Sequence, residues 1–130
     1  MHIGLLEDDP AIQEMLQLML QDEGYTVTTY LTAQQCLQAL VTTRPATSPI
    51  DLLIIDWRLQ GQISGIEVIR QIRRTKQFKS LPIILTTAAM FSDMDALQNL
   101  QVALLENPFA IEEMESMIDE LLQSHSSSGN

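Results

Sequence analysis

Cations are missing from both ends of this 130-residue chain. All seven Lys and Arg fall between Arg44 and Lys79, so the first 43 and the last 51 residues hold none, and the net charge is −10. Proteins that bind nucleic acid neutralise phosphates with cations, which argues against direct nucleic-acid binding here. Binding to any acidic partner would have to use the basic middle. Cysteine is almost absent as well. Cys36 stands alone and cannot form an internal disulfide, which fits a reducing, cytoplasmic setting. No apolar run approaches the ~20 residues that cross a membrane. Met1, His2, Ile3 and Gly4 offer no basic region ahead of an apolar one, so no signal peptide is expected. There is no internal repeat. The length, with 45% hydrophobic residues, suits one domain with a sizeable core.

The clearest feature present is Leu52-Leu53-Ile54-Ile55 running straight into Asp56. A continuous apolar run reads as a strand buried on both faces, hence the middle of a parallel sheet. Asp56 is then at its C-terminal end, where ligands bind in open α/β sheets. Taken alone, Asp56 reads better as a solvated strand end, and the rest of the chain reverses that preference.

The rest of the chain supplies the context. Residues 2–6 form a short apolar strand, followed by Glu7, Asp8, Asp9 and Pro10. Asp9 is a good N-cap and Pro10 a good first helical residue. That helix runs to about Glu23, stops at Gly24, and places Ile12, Met15, Leu16 and Met19 on its core stripe, with Leu18 off it. Residues 25–30 form a β-rich strand. Thr32 and Gln35 match a capping box that opens a helix to about Thr42. A proline-containing loop leads into the central strand. Gly65 starts a helix with Ile66, Val68, Ile69 and Ile72 inward, and residues 76–80 form a basic connection. A buried strand at 81–87, a short helix at 92–100, a strand at 102–105 and a helix at 111–123 complete the pattern. The last helix has Ile111, Met114, Ile118, Leu121 and Leu122 on one side and Glu112, Glu113, Glu115, Asp119 and Glu120 on the other. That acidic face and the basic stretch from Arg70 to Lys79 read as solvated surface. His2 and His125, near the ends, look like neither ligands nor bases.

Strand alternating with helix gives a (βα)5 α/β fold, a doubly wound parallel sheet with helices on both faces. Every strand-to-helix loop then opens on one edge, which gathers Glu7, Asp8, Asp56, Thr87 and Asn107. Three acids crowded at one edge force a proton onto one of them or recruit a hard cation. Mg2+ takes oxygen ligands, usually one or two carboxylates with waters and a phosphate. An aspartate beside Mg2+ can attack a phosphoryl group and hold it as an acyl phosphate, and a hydroxyl such as that of Thr87 can bond one phosphoryl oxygen.

These residues resemble the receiver domain of the two-component response-regulator family over nearly the whole chain. The Glu7-Asp8 pair matches the family's Mg2+-binding acids, Asp56 its phosphoacceptor, Thr87-Ala88 its Thr/Ser-Ala pair, and Asn107-Pro108-Phe109 its Lys-Pro-Phe motif. The resemblance implies a flavodoxin-like sheet order of 2-1-3-4-5 and a receiver domain at 1–123, with a flexible Ser-rich tail or linker at 124–130. It also implies Mg2+ held by Glu7, Asp8, Asp56 and the backbone carbonyl of Arg58, with Ala88 lining the phosphoryl site. The donor is a histidine kinase or phosphotransfer protein. The signal leaves through the fourth helix, fifth strand and fifth helix to an effector domain or output protein, where Met90, Phe91 and Met94 are either surface or core filling. No enzymatic activity is expected beyond self-phosphorylation, and neither membrane nor nucleic acid is an expected partner.

Three positions depart from the family. Asn107 replaces the lysine, so a charge-assisted bond worth about 1.5–3 kcal/mol is absent. Arg58 either supplies a substitute cation or is a solvated loop residue. Leu104 replaces a common aromatic, so a ring with a polar tip cannot swing there, and the loop after Asp56 lacks a proline and carries Gly61. The Asn107–Pro108 peptide is expected to be cis. The competing reading is a pseudo-receiver, an interaction module that never takes a phosphoryl group. An aspartyl-phosphate hydrolase is disfavoured, because Arg58 stands where an acid would help.

Overall fold

The computed structural model describes residues 1–42, 50–56, 64–75, 78–87, 100–106 and 109–128. Strands β1 (His2–Leu6), β2 (Thr26–Tyr30), β3 (Leu52–Asp56), β4 (Ile83–Thr87) and β5 (Ala103–Glu106) form one sheet in the order β2-β1-β3-β4-β5, every pairing parallel. This is the expected doubly wound topology. β3 and β4 are buried at every residue, because both faces of the sheet are covered. Alternation along β3 splits the core. Leu53 and Ile55 pack with α2 (Ala33–Leu37) and α3 (Gly65–Arg74). Leu52 and Ile54 pack with α1 (Pro10–Asp22) and the C-terminal helix, α4 (Ile111–Ser128).

Local signals explain the helix starts. The Asp9 carboxylate accepts from the N–H groups of Ala11 and Ile12 at 2.9 and 3.3 Å, Pro10 takes the first helical position, and Gly24 leaves the helix with φ +96°. The Thr32 hydroxyl accepts from Gln35 N–H, and the Gln35 side chain accepts in return from Leu31 N–H. Beyond α2 the chain widens into a π-helical turn, Gln38–Thr42. Ser64 caps α3 by accepting from Glu67 N–H, and Val68, Ile69 and Ile72 are buried as expected.

The core stripe of α1 differs from the expected one. Leu16 and Leu20 are buried, whereas Ile12, Met15 and Met19 are 38%, 49% and 37% exposed, and Leu18 is 59% exposed. The inward positions are 13, 16, 17 and 20, so two glutamines share the face with two leucines. Gln13 explains the rotation: its amide donates to two main-chain carbonyls at the sheet edge, those of Glu7 and Tyr30. An apolar count alone cannot find a helix face that is set by a polar tether.

Smaller corrections follow the same logic. β2 starts at Thr26 and β4 at Ile83, inside the expected bounds, and β5 is displaced by one residue to Ala103–Glu106. The connection before β4 contains Phe78, fully buried among α3 and β3 residues. α4 continues to Ser128, so residues 124–128 are helical where a flexible tail was expected; no proline or glycine interrupts the sequence before Gly129. The expected fourth helix, residues 92–100, lies outside the described residues except for its last, Leu100, and Met90, Phe91 and Met94 lie outside them too.

Arg70, Arg74 and Lys79 are exposed, as expected of a solvated basic stretch, but Arg73 is not. Its guanidinium donates to the carbonyls of Leu100, Phe78 and Gln101 at 2.8, 2.8 and 3.1 Å, and burial lowers its pKa. It fastens the end of α3 to the chain entering β5, where Gln101 adopts a left-handed φ of 55°. A lysine has one point donor group and cannot reproduce this fork. Arg73→Lys should therefore lower unfolding free energy by about 1–3 kcal/mol, since it leaves at least one half-buried carbonyl unpaired; urea denaturation measures this, and an unchanged midpoint would show that the staple contributes nothing.

Candidate functional site

Strand register builds the site. β1 pairs with β3 through Leu6 and Ile55, and β3 pairs with β4 through Asp56 and Thr86. Glu7 therefore leaves β1 beside the end of β3, and Thr87 ends β4 at the same sheet edge. Glu7, Asp8 and Asp56 each offer a carboxylate oxygen within 4.8 Å of the other two. Glu7 is 6%, Asp56 9% and Thr87 3% exposed; Asp8 is half-buried.

Burial and repulsion decide the charge state. The Glu7 carboxyl is pushed up to about 8, first by burial, then by its hydrogen bond to Asp56 and by the charges of Asp56 and Asp8. The N–H of Asp9, 3.2 Å from Glu7 Oε2, opposes the rise without cancelling it. Without a cation, these causes favour the protonated form of Glu7 at neutral pH, hydrogen-bonded to Asp56. This is the signature of negative charge gathered without a matching cation.

The donor set fits Mg2+. An octahedral ion with oxygens at about 2.1 Å puts neighbouring ligands about 3 Å apart and opposite ones about 4 Å apart. Three carboxylate oxygens within 4.8 Å need only small rotations to meet that spacing. All three donors are hard oxygens, and no sulfur or imidazole joins them among the described residues.

The other expected site residues, Arg58, Ala88 and Asn107, lie outside the described residues, as does the Asn107–Pro108 peptide. Leu104 pairs with Leu85 and is half-buried against the α2–α3 side of the core. His2 is far from this edge in register: it starts β1, and its ring meets the Thr28 hydroxyl. The sequence reading missed Gln13. The available signal was its spacing, since it precedes Leu16 and Leu20 on one helical face and falls in the first turns after the acids.

Comparison with known proteins gives an independent view. The family model for the response regulator receiver domain matches residues 3–119. The transcriptional regulatory protein AfsQ1 of Streptomyces coelicolor is 42% identical over 97 residues, which cover 75% of this chain and 39% of AfsQ1. A putative response regulator from Chloroflexus aurantiacus has a TM-score of 0.81 at 27% identity, covering 94% of this chain and 97% of its own. The receiver domain of a Pseudomonas aeruginosa sensor histidine kinase, solved with a magnesium ion coordinated in its active site cleft, has a TM-score of 0.80 at 28% identity, covering 94% and 97%. The chain spans only 35–51% of the length of the first curated relatives it matches.

Glu7 makes a pH prediction for the metal-free protein. Its folded pKa, about 8, exceeds the ordinary 4.5, so the folded state holds more protons between those values. Its contribution to stability is complete below about pH 4.5 and is lost as pH rises through 8. Thermal melts in chelator should fall from pH 6 to pH 9, and Glu7→Gln should flatten that fall. An equal fall in the variant would remove Glu7 as its source.

Proposed function

The chain belongs to the receiver-domain family of response regulators, a class of signal-transduction modules, and on that premise we propose that Asp56 is its phosphoacceptor. The observation that carries this is the convergence of Glu7, Asp8 and Asp56 within 4.8 Å at the sheet edge. Glu7, Asp8, Asp56 and the backbone carbonyl of Arg58 would hold Mg2+, which supplies neutralising charge for phosphoryl oxygens.

The chain's own groups do the rest. A carboxylate oxygen of Asp56 attacks phosphorus in line with the donor's leaving nitrogen; the P–N bond breaks, the imidazole leaves, and an acyl phosphate remains. Burial of Asp56 keeps bulk water from competing for the same phosphorus. The Thr87 hydroxyl donates to one phosphoryl oxygen, and Ala88, next in the chain, is assigned to the same phosphoryl site. Asn107 contributes an amide donor without charge, and Arg58 supplies the cation that the family places on its lysine. Glu7 gives up its proton when the cation arrives, so site assembly and proton release are coupled.

The donor is a histidine kinase or phosphotransfer protein. Its phosphohistidine must come within bonding distance of Asp56, so it covers the rim beside Glu7, Asp8 and the start of α1, where Ile12 and Met15 stand exposed. Working from a kinase places the protein in the cytoplasm. The output goes to a protein or an effector domain: phosphorylation adds about −1.5 to −2 charges to an edge that already holds three acids, and neighbouring loops must respond. With a net charge of −10, this unit is not itself a nucleic-acid contact.

Intact mass after incubation with Mg2+ and a small phosphodonor tests the reading. One added phosphoryl group is expected, abolished in Asp56→Asn and without Mg2+, and reduced roughly tenfold in Arg58→Ala. No adduct on the wild-type chain would favour a phosphorylation-independent interaction module.

A further inference from the structure

We infer that Gln13 is a positioning residue for the metal end of this site, an inference that rests on Glu7, Asp8 and Asp56 being the Mg2+ ligands. The argument starts where the β1–β2 ladder ends. Glu7 N–H donates to the Tyr30 carbonyl at 3.2 Å, the last rung between the two strands. In a parallel pair the next rung would bring a donor from beyond Tyr30 to the Glu7 carbonyl. The chain turns away instead: Leu31 N–H donates to the Gln35 side chain, and Thr32 caps α2. The Glu7 carbonyl is thereby left at the frayed end of the ladder, in the residue that carries the buried acid.

Gln13 supplies the missing rung. Its Nε2 donates to the Glu7 carbonyl at 3.2 Å and to the Tyr30 carbonyl at 3.1 Å, and both bonds are partly buried. Its own backbone is fixed in turn, since Gln13 N–H donates to the Asp9 carbonyl at 2.9 Å. One amide thus ties α1, β1 and β2 together at the residue from which the Glu7 carboxyl reaches Asp56 and from which Asp8 follows. A primary amide suits this task because it has two N–H groups directed from one atom, and two carbonyls face it. The hydrophobic residues at Ile12, Met15 and Met19 are left exposed to keep it there. That costs apolar burial, which a helix selected for packing alone would not give up.

Gln13 touches no reacting atom. It acts by holding the peptide of Glu7 so that two adjacent acids present their oxygens together. Groups that orient metal ligands from behind typically change affinity about 10–100-fold when removed, and a main-chain tether belongs at the lower end of that range.

The test uses the full chain, Mg2+ as the sole probe, and two readouts: Mg2+ dissociation constant by calorimetry and metal-free melting temperature. Gln13→Met keeps the length of the side chain and removes the donor. Gln17→Met, on the same inward face and one turn further on, controls for general loss of packing. The expected result is a roughly tenfold weaker Mg2+ affinity for Gln13→Met and an unchanged affinity for Gln17→Met, whatever their melting temperatures. Gln13→Asn, whose amide is one methylene short of both carbonyls, should weaken Mg2+ in the same direction and serves if the Met variant does not fold. Wild-type affinity in the folded Gln13 variants, even with a lowered melting temperature, would reduce Gln13 to a structural residue and overturn the inference. Absence of Mg2+ binding by the wild-type chain would instead overturn the reading of the acids, and this inference with it.

Discussion

Repulsion among three carboxylates at one sheet edge governs the behaviour of this molecule. Two unit charges about 4–5 Å apart at an effective dielectric near 20 repel by roughly 3–4 kcal/mol. Protonating a glutamate of ordinary pKa at pH 7 costs about 3.7 kcal/mol. The two quantities are similar, and burial of Glu7 adds to the repulsive side, so without metal the proton stays. A divalent cation removes the same repulsion more completely. The fold maintains this frustration because the order β2-β1-β3 places the ends of β1 and β3 side by side. A phosphoryl group arriving at Asp56 would meet an edge already prepared for a compensating cation.

Polar anchoring of α1 follows from the same edge. A loop that carries two acids out of a strand end has few main-chain partners, and the amide of Gln13 takes the place of the lost ladder rung. The helix is consequently rotated so that Leu16 and Leu20 pack inward while Ile12 and Met15 are exposed. At the opposite edge Arg73 plays a comparable part, bonding three carbonyls around the entry to β5. Among the described residues, each end of the sheet is thus tied by one side chain with several N–H donors.

Much of this was legible in the sequence, because parallel sheets write themselves as apolar runs and strand-end acids follow those runs directly. Leu52 to Asp56 announced the central strand, and Asp9-Pro10 and Thr32-Gln35 announced two helix starts, whereas the Ser64 cap ahead of Gly65 was not read. The site's three acids were legible for the same reason: topology fixes which edge a strand end occupies. What escaped depends on long-range polar contacts. The rotation of α1 is set by carbonyls of Glu7 and Tyr30, and the burial of Arg73 by carbonyls from before β4 and after it; neither shows in the apolar pattern. Phe78 was hidden among charged neighbours in a short connection. The continuation of α4 to Ser128 shows that a Ser-rich segment without proline or glycine can prolong a helix already begun by an apolar stripe.

Proton release on Mg2+ binding tests most directly whether the acids form a frustrated cation site. Calorimetric titrations at pH 7 in two buffers of different ionisation enthalpy count the protons that leave. With Glu7 titrating near 8, close to one proton should be released per Mg2+ at pH 7, and far fewer at pH 9.5. Mg2+ binding with no proton release at pH 7 would contradict a proton held on Glu7, and with it the electrostatic origin of the site.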